Sequence, residues 1–179
     1  MKSLKKIGIL GGTFDPPHIA HLEISKLAIK KLKLSELIWA VTKRNPLKKK
    51  PYFVLKKRIF LSKNMTNKIN KIKVKSFDKS IGSSKTIKLV KYIKKNNSDS
   101  KIFFIMGSDS FIKFNKWHNW KEITDMCKLV VFPRTGYVKK ILTSKTLRVL
   151  GRESVIFLKS KRIDISSSKI RKNYLKYRY

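Results

Sequence analysis

The residues best suited to chemistry stand together near the start of the chain, in Gly11–Leu22, GGTFDPPHIAHL. Two of the three histidines, His18 and His21, lie three residues apart here, behind a double glycine and a double proline. An imidazole titrates close to neutral pH and can donate to phosphate or trade protons. At a spacing of three, both rings share one helix face. The apolar run Ile7–Leu10 reads as a buried strand, so Gly11 and Gly12 fall at its carboxyl end, where no Cβ obstructs a bulky anion. Pro16 and Pro17 stiffen the turn and pre-set the first turn of a helix. His18 then stands where unpaired N–H groups and the helix dipole favour phosphate. A metal site would need a third ligand, and neither His118 nor Cys127 supplies an evident spacing. The stretch is also not a GxxxxGK[ST] loop.

Such a site needs a rigid frame, and the rest of the chain spells one. Strand-length apolar runs at Ile7–Leu10, Leu37–Val41, Ile72–Val74, Ile102–Met106, Leu129–Phe132 and Val155–Leu158 are separated by segments of helical period. Helices are expected over His18–Leu32, Tyr52–Met65, a segment holding Ile87, Val90 and Ile93 capped by Ser83 or Ser84, and Ser167–Tyr177. Gly136–Gly151 reads as one helix or a helix plus a loop. This alternation predicts an α/β fold, a single Rossmann-like, doubly wound and mainly parallel sheet with helices on both faces, over one domain spanning 1–179. Ligands in such sheets sit at the carboxyl ends of the strands, near the topological switch point.

The formal net charge is +35, which raises the question of a nucleic-acid partner. The cations are spread evenly, however, and the chain has 37 lysines but 8 arginines, whereas arginine is favoured for bidentate recognition. A solvated lysine surface accounts for the charge, and no specific nucleic-acid role is expected. One cysteine permits no internal disulfide, and no apolar run is long enough to span a bilayer. A cytoplasmic protein without membrane attachment is the expectation, with oligomeric state left open.

Gly11–Leu22 resembles the amino-terminal signature of nucleotidyltransferases that carry an HxGH motif. Its fuller form is most similar to that of the bacterial nicotinate-nucleotide adenylyltransferase family. Ala20 stands where that family usually has glycine. Further segments follow in the family's order. Asn45–Lys48 resembles a Pro-containing loop ending in lysine, Met106–Asp109 its GxD segment, and Trp117 and Trp120 its tryptophan pair. Thr86 matches a threonine before a helix, with Lys85 in place of the usual aspartate. Arg134 sits in an Arg-Pro-Gly-like turn with Thr135 replacing proline, and Ile165–Arg171 resembles an ISSTxIR segment. The chain ends at Tyr179, sooner than family members usually do. The resemblance runs from residue 6 to about residue 172.

What the resemblance implies is transfer of AMP from ATP to nicotinate mononucleotide, yielding deamido-NAD and pyrophosphate. It assigns catalysis to His18, His21, Lys48 and Arg171. It assigns ATP binding to Gly11, Gly12, Thr13, Phe14, His18, His21, Gly107, Asp109, Ser167, Ser168 and Arg171. The mononucleotide falls to Asp15, Lys48, Thr86, Asp109, Trp117 and Arg134, and Mg²⁺ is expected to arrive with ATP. The chemistry agrees with these residue types. A serine-rich helix start plus Arg171 can cradle phosphates, Asp109 can accept from ribose hydroxyls, and an indole can stack on a cationic pyridine ring. Another acceptor, nicotinamide mononucleotide or phosphopantetheine, is the alternative within the superfamily. A basic nucleic-acid-binding module is the alternative outside it.

Overall fold

A computed structural model describes residues 4–45, 47, 49–160 and 165–176. Six strands form one sheet: β1 (Lys6–Gly12), β2 (Glu36–Val41), β3 (Ile72–Lys75), β4 (Lys101–Gly107), β5 (Lys128–Phe132) and β6 (Val155–Phe157). Their order is β3-β2-β1-β4-β5-β6 and every pairing is parallel. The winding direction reverses between β1 and β4, which leaves a crevice above Gly12 and Gly107.

Alternation along the strands divides the core into two layers. Ile7, Ile9, Phe104, Met106, Leu129 and Val131 pack on one face, with Ile87, Val90 and Ile93 of α3 (Thr86–Lys95) against them. Leu10, Trp39, Val41, Phe103, Ile105 and Val130 pack on the other, with Ala28 of α1 (Ile19–Leu32) and Leu55 and Ile59 of α2 (Leu55–Thr66). Period-2 strands buried on both faces are what a covered parallel sheet requires. Gly8 belongs to the second face, where a Cβ would lie 2.7 Å from the Leu34 side chain.

Several boundaries differ from the expected ones for definite reasons. His18 is extended (φ −152°) and precedes α1 instead of forming its first turn. The expected Tyr52 helix starts at Leu55, because the Tyr52 and Phe53 amides donate to the Asp15 carboxylate at 2.7 and 2.8 Å. Neither Ser83 nor Ser84 caps α3. Lys85 holds that position, while the Ser84 hydroxyl donates to Asp78. Gly136–Gly151 contains two short helices, α6 (Val138–Leu142) and α7 (Lys145–Leu150), the second capped by Ser144. The aromatic-rich segment after β4 folds as α4 (Ser108–Ile112), a 3₁₀ turn at Phe114–Lys116 and α5 (Trp120–Met126). The last helix, α8, spans Ser167–Lys176.

Candidate active site

Two cavities open at the carboxyl ends of β1 and β4. The more apolar one, of about 250 Å³, has Phe104, Trp117, Val41, Phe77 and Leu89 in its lining and Arg44, Lys85, Lys116 and Asp78 as its charged members. The more polar one, of about 420 Å³, is lined by His18, His21, Gly107, Asp109, Arg134 and Ser167, among others. Gly11, Gly12, Thr13, Ser110 and Trp117 line both, so the cavities meet at the glycine turn.

The turn itself is built around Phe14. This residue takes φ +48°, a left-handed conformation that costs a non-glycine about 1–3 kcal/mol and persists only where packing enforces it. Packing does so: the ring stacks on Trp39 at 4.8 Å and 16°, and lies 4.9 Å from the His21 ring. Trp39 in turn donates to Ser25, whose hydroxyl donates to the His21 carbonyl. Phe14 therefore seats His21 and lines the polar cavity with it. Gly11 and Gly12 have no left-handed φ. At Gly11 the missing Cβ makes room for the Phe104 ring, whose nearest carbon would stand 3.2 Å away.

The two histidines differ in state. His18 is 4% exposed, and burial, helped by the Arg134 guanidinium, lowers its pKa from 6.5 to about 4. It is a neutral imidazole near pH 7, a hydrogen-bonding group and not a cation. Its Nδ1 is buried with no hydrogen-bond partner among the described residues, as is Oδ1 of Asp109. His21 stacks on His18 at 3.8 Å, and its Nδ1 accepts from the His18 backbone N–H at 3.2 Å. That bond leaves the His21 proton on Nε2 when the ring is neutral.

The remaining expected residues divide by location. Gly107, Asp109 and Arg134 line the polar cavity, where Arg134 pairs with Asp109 at 3.4 Å and its backbone N–H donates to Ser108. Arg134 is thus on the histidine side, away from the mononucleotide grouping in which it was expected. Thr86 and Trp117 line the apolar cavity, while Trp120 packs edge-on against Phe114 and lines neither. Ser167 donates to the Pro16 carbonyl, and Ser166 accepts from the Lys169 N–H as the cap of α8. Asp15, Ser168 and Arg171 line neither cavity. Arg171 donates to the Asp15 carbonyl and to Ser168, so this trio ties α8 to the glycine turn. Lys48 lies outside the described residues.

Sequence reasoning missed Arg58 and Asp78. Arg58 is 1% exposed, and its guanidinium donates to the carbonyls of Thr13, Thr42, Lys43 and Phe53. Asp78 accepts from the Thr42 hydroxyl at 3.0 Å, the Lys43 N–H at 2.7 Å and the Ser84 hydroxyl. Neither belongs to a spaced motif. The only signal was rarity: Asp78 is one of ten acidic residues, and Arg58 one of eight arginines.

Comparison with known proteins gives the chain a family. The model of the Cytidylyltransferase-like family matches residues 9–173. A Pelagibacter ubique (strain HTCC1062) protein named "Probable nicotinate-nucleotide adenylyltransferase" is 48% identical over 167 residues, 93% of this chain and 92% of that one. A protein of the same name from Aquifex aeolicus (strain VF5) is 29% identical, over 89% of this chain and 98% of its own. In fold, the chain resembles a Plasmodium falciparum nicotinic acid mononucleotide adenylyltransferase complexed with NaAD, with a TM-score of 0.73 at 20% identity, covering 94% of this chain and 83% of that one. The chain belongs to the Cytidylyltransferase-like family and, within it, to the nicotinate-nucleotide adenylyltransferases.

Proposed function

We propose that this chain transfers AMP from ATP to nicotinate mononucleotide, giving deamido-NAD and pyrophosphate. The observation that carries the reading is the pair of cavities meeting at Gly11–Thr13, one polar and lined by histidines, the other aromatic and ringed by cations. A triphosphate suits the first and a pyridine mononucleotide the second, with their phosphates brought together at the shared turn.

The reaction then needs little covalent chemistry from the protein. An oxygen of the mononucleotide's 5′-phosphate attacks the α-phosphorus, and the bond to the β-phosphate oxygen breaks to release pyrophosphate. Positioning, and donors aimed at the charge that develops, are what accelerate such a step. His21 offers its Nε2–H to the phosphate oxygens and His18 a neutral imidazole, while Arg134 supplies fixed charge beside them. The start of α8, with Ser166 and Ser167, provides backbone amides for the leaving pyrophosphate. Lys48 is assigned the role of a point charge for the triphosphate. Asp15, Ser168 and Arg171 act one step back, by anchoring α8 to the turn.

On the acceptor side, Trp117 offers an indole for the pyridinium ring. Thr86 at the start of α3, with Arg44, Lys85 and Lys116, gives the ring carboxylate and phosphate a cationic setting that a neutral amide would not exploit. Mg²⁺ carried by the nucleotide would offset the charge of the phosphates. Replacing His21 by Ala is expected to lower turnover by about two to three orders of magnitude with the circular dichroism spectrum unchanged, comparable to losing one oxyanion donor. Near-wild-type pyrophosphate release from ATP and nicotinate mononucleotide by that variant would overturn the assignment.

A further inference from the structure

An acidic side chain in a cavity meant for an anionic acceptor needs explaining. Asp78 is such a group, since it lines the aromatic cavity and would repel a phosphate or carboxylate. Its partners supply the reason. The carboxylate accepts from the Thr42 hydroxyl at 3.0 Å and the Lys43 N–H at 2.7 Å, both just past the end of β2. It also accepts from the Ser84 hydroxyl, two residues before α3. The loop after β2 lines the cavity with Thr42, Arg44, Asn45 and Leu47, and the loop before α3 lines it with Ile81, Ser83 and Ser84. One carboxylate thus joins, beyond the last paired residues Ala40 and Lys75, the two loops that leave the neighbouring strands β2 and β3 and wall the cavity.

The attachment on the β2 side is rigid. The Thr42 and Lys43 carbonyls are held by Arg58, buried beneath them, so this two-residue segment is gripped through its carbonyls by a cation and through its donors by an anion. Charge-assisted hydrogen bonds of this kind are shorter and stronger than neutral ones. Three donors on one carboxylate also blunt its repulsion of the substrate.

We propose that Asp78 is a positioning residue that sets the affinity of the aromatic cavity for the mononucleotide by pinning the Thr42–Lys43 loop to the Ser84 loop. The proposal rests on the acceptor assignment above, and it distinguishes substrate positioning from general stability, because Asp78, Thr42, Lys43 and Ser84 line no part of the polar cavity.

The test is a kinetic split. In Asp78→Ala, the KM for nicotinate mononucleotide is expected to rise by about tenfold to a hundredfold, the KM for ATP to stay within about twofold, and kcat to change by less than about fivefold. Asp78→Asn keeps the shape and one acceptor oxygen while removing the charge, so its acceptor KM should rise less, by about three- to tenfold. The double variant Thr42→Val/Ser84→Ala removes two of the three donors and should give a similar rise. Should Asp78→Ala not fold, the other two variants decide.

A lower acceptor KM in Asp78→Asn would mean that repulsion outweighs positioning, and would overturn the proposal. So would a parallel rise in both KM values. Calorimetric titration of wild type and variants with nicotinate mononucleotide reads the same affinities without turnover. Weakened binding in the variants supports the role of Asp78 even if the wild type releases no pyrophosphate, a result that would count against the proposed reaction alone. Equal binding by wild type and variants overturns the role of Asp78 and leaves the reaction standing.

Discussion

Acid should destabilise this protein partly through one side chain. His18 is buried at the crevice, with its pKa lowered from 6.5 to about 4, first by burial and second by Arg134. The unfolded chain takes up a proton near pH 6.5 that the folded chain refuses until about pH 4. The neutral ring therefore contributes stability that is fully present above the unfolded value and is lost as the pH falls through this window. Across the whole window the contribution is about 3 kcal/mol, and about 2 kcal/mol of it disappears between pH 7 and pH 5. For a chain of this size that loss lowers Tm by about 4–8 °C.

The comparison that isolates it is wild type against His18→Gln, which carries no titratable group at this position, each unfolded by urea at pH 7 and pH 5. Carboxylates and the large positive charge act equally on both chains and cancel in the difference. Wild type should lose about 2 kcal/mol more than the variant on acidification. Arg134→Met should narrow that gap without closing it, since burial is the larger cause. Equal acid losses in wild type and His18→Gln would refute the reasoning, because His18 would then titrate alike in both states.

Two further outcomes follow from the geometry. Arg58→Met leaves four loop carbonyls without their donor, at a cost of about 3 kcal/mol or more, so thermal unfolding by circular dichroism should show Tm reduced by about 6–12 °C, and an unchanged Tm would contradict the clamp. Lys85→Met removes one cation from the lining of the aromatic cavity, so the ratio of kcat/KM for nicotinate over nicotinamide mononucleotide should fall by about two- to fivefold, with initial rates for the two acceptors as the measurement.

The parts legible in the sequence were those with a period or a fixed spacing. Ile7–Leu10 and Ile102–Met106 announced buried strands, and their parallel neighbours followed from the helical segments between them. His18 and His21, at a spacing of three behind two glycines, mark the crevice in the sequence itself, and both line the polar cavity. What stayed hidden were tethers that join residues far apart in the chain. Nothing near Tyr52 says that its amide will be taken by Asp15, 37 positions earlier, so its helix was drawn three residues too long at the start. Even over six residues, no spacing rule foretells that Asp78 takes the Ser84 hydroxyl, which reads as a helix cap. Phe14 is the sharpest case: a left-handed φ at a bulky aromatic is legible only once Trp39 and His21 are seen on either side of its ring.

The tethers share a chemistry that separates the working part of this charge from the rest. Six of the eight arginines lie in described segments, and four of these are at the crevice: Arg44 in the lining of the aromatic cavity, Arg58 under the loops, Arg134 among the histidines and Arg171 on Asp15. Lysines in ion pairs stand on the surface instead, as Lys5 with Glu36 and Lys26 with Glu23, where such pairs are worth about 0–1 kcal/mol. A planar fork of five donors can hold several carbonyls at once, as Arg58 does, and a single ammonium on a flexible stem cannot reproduce that geometry. In a chain so rich in lysine, these four arginines stand where orientation matters and not charge alone. By that reasoning the function is written in the few arginines and acids that fix the crevice, while the +35 mostly describes its solvated exterior.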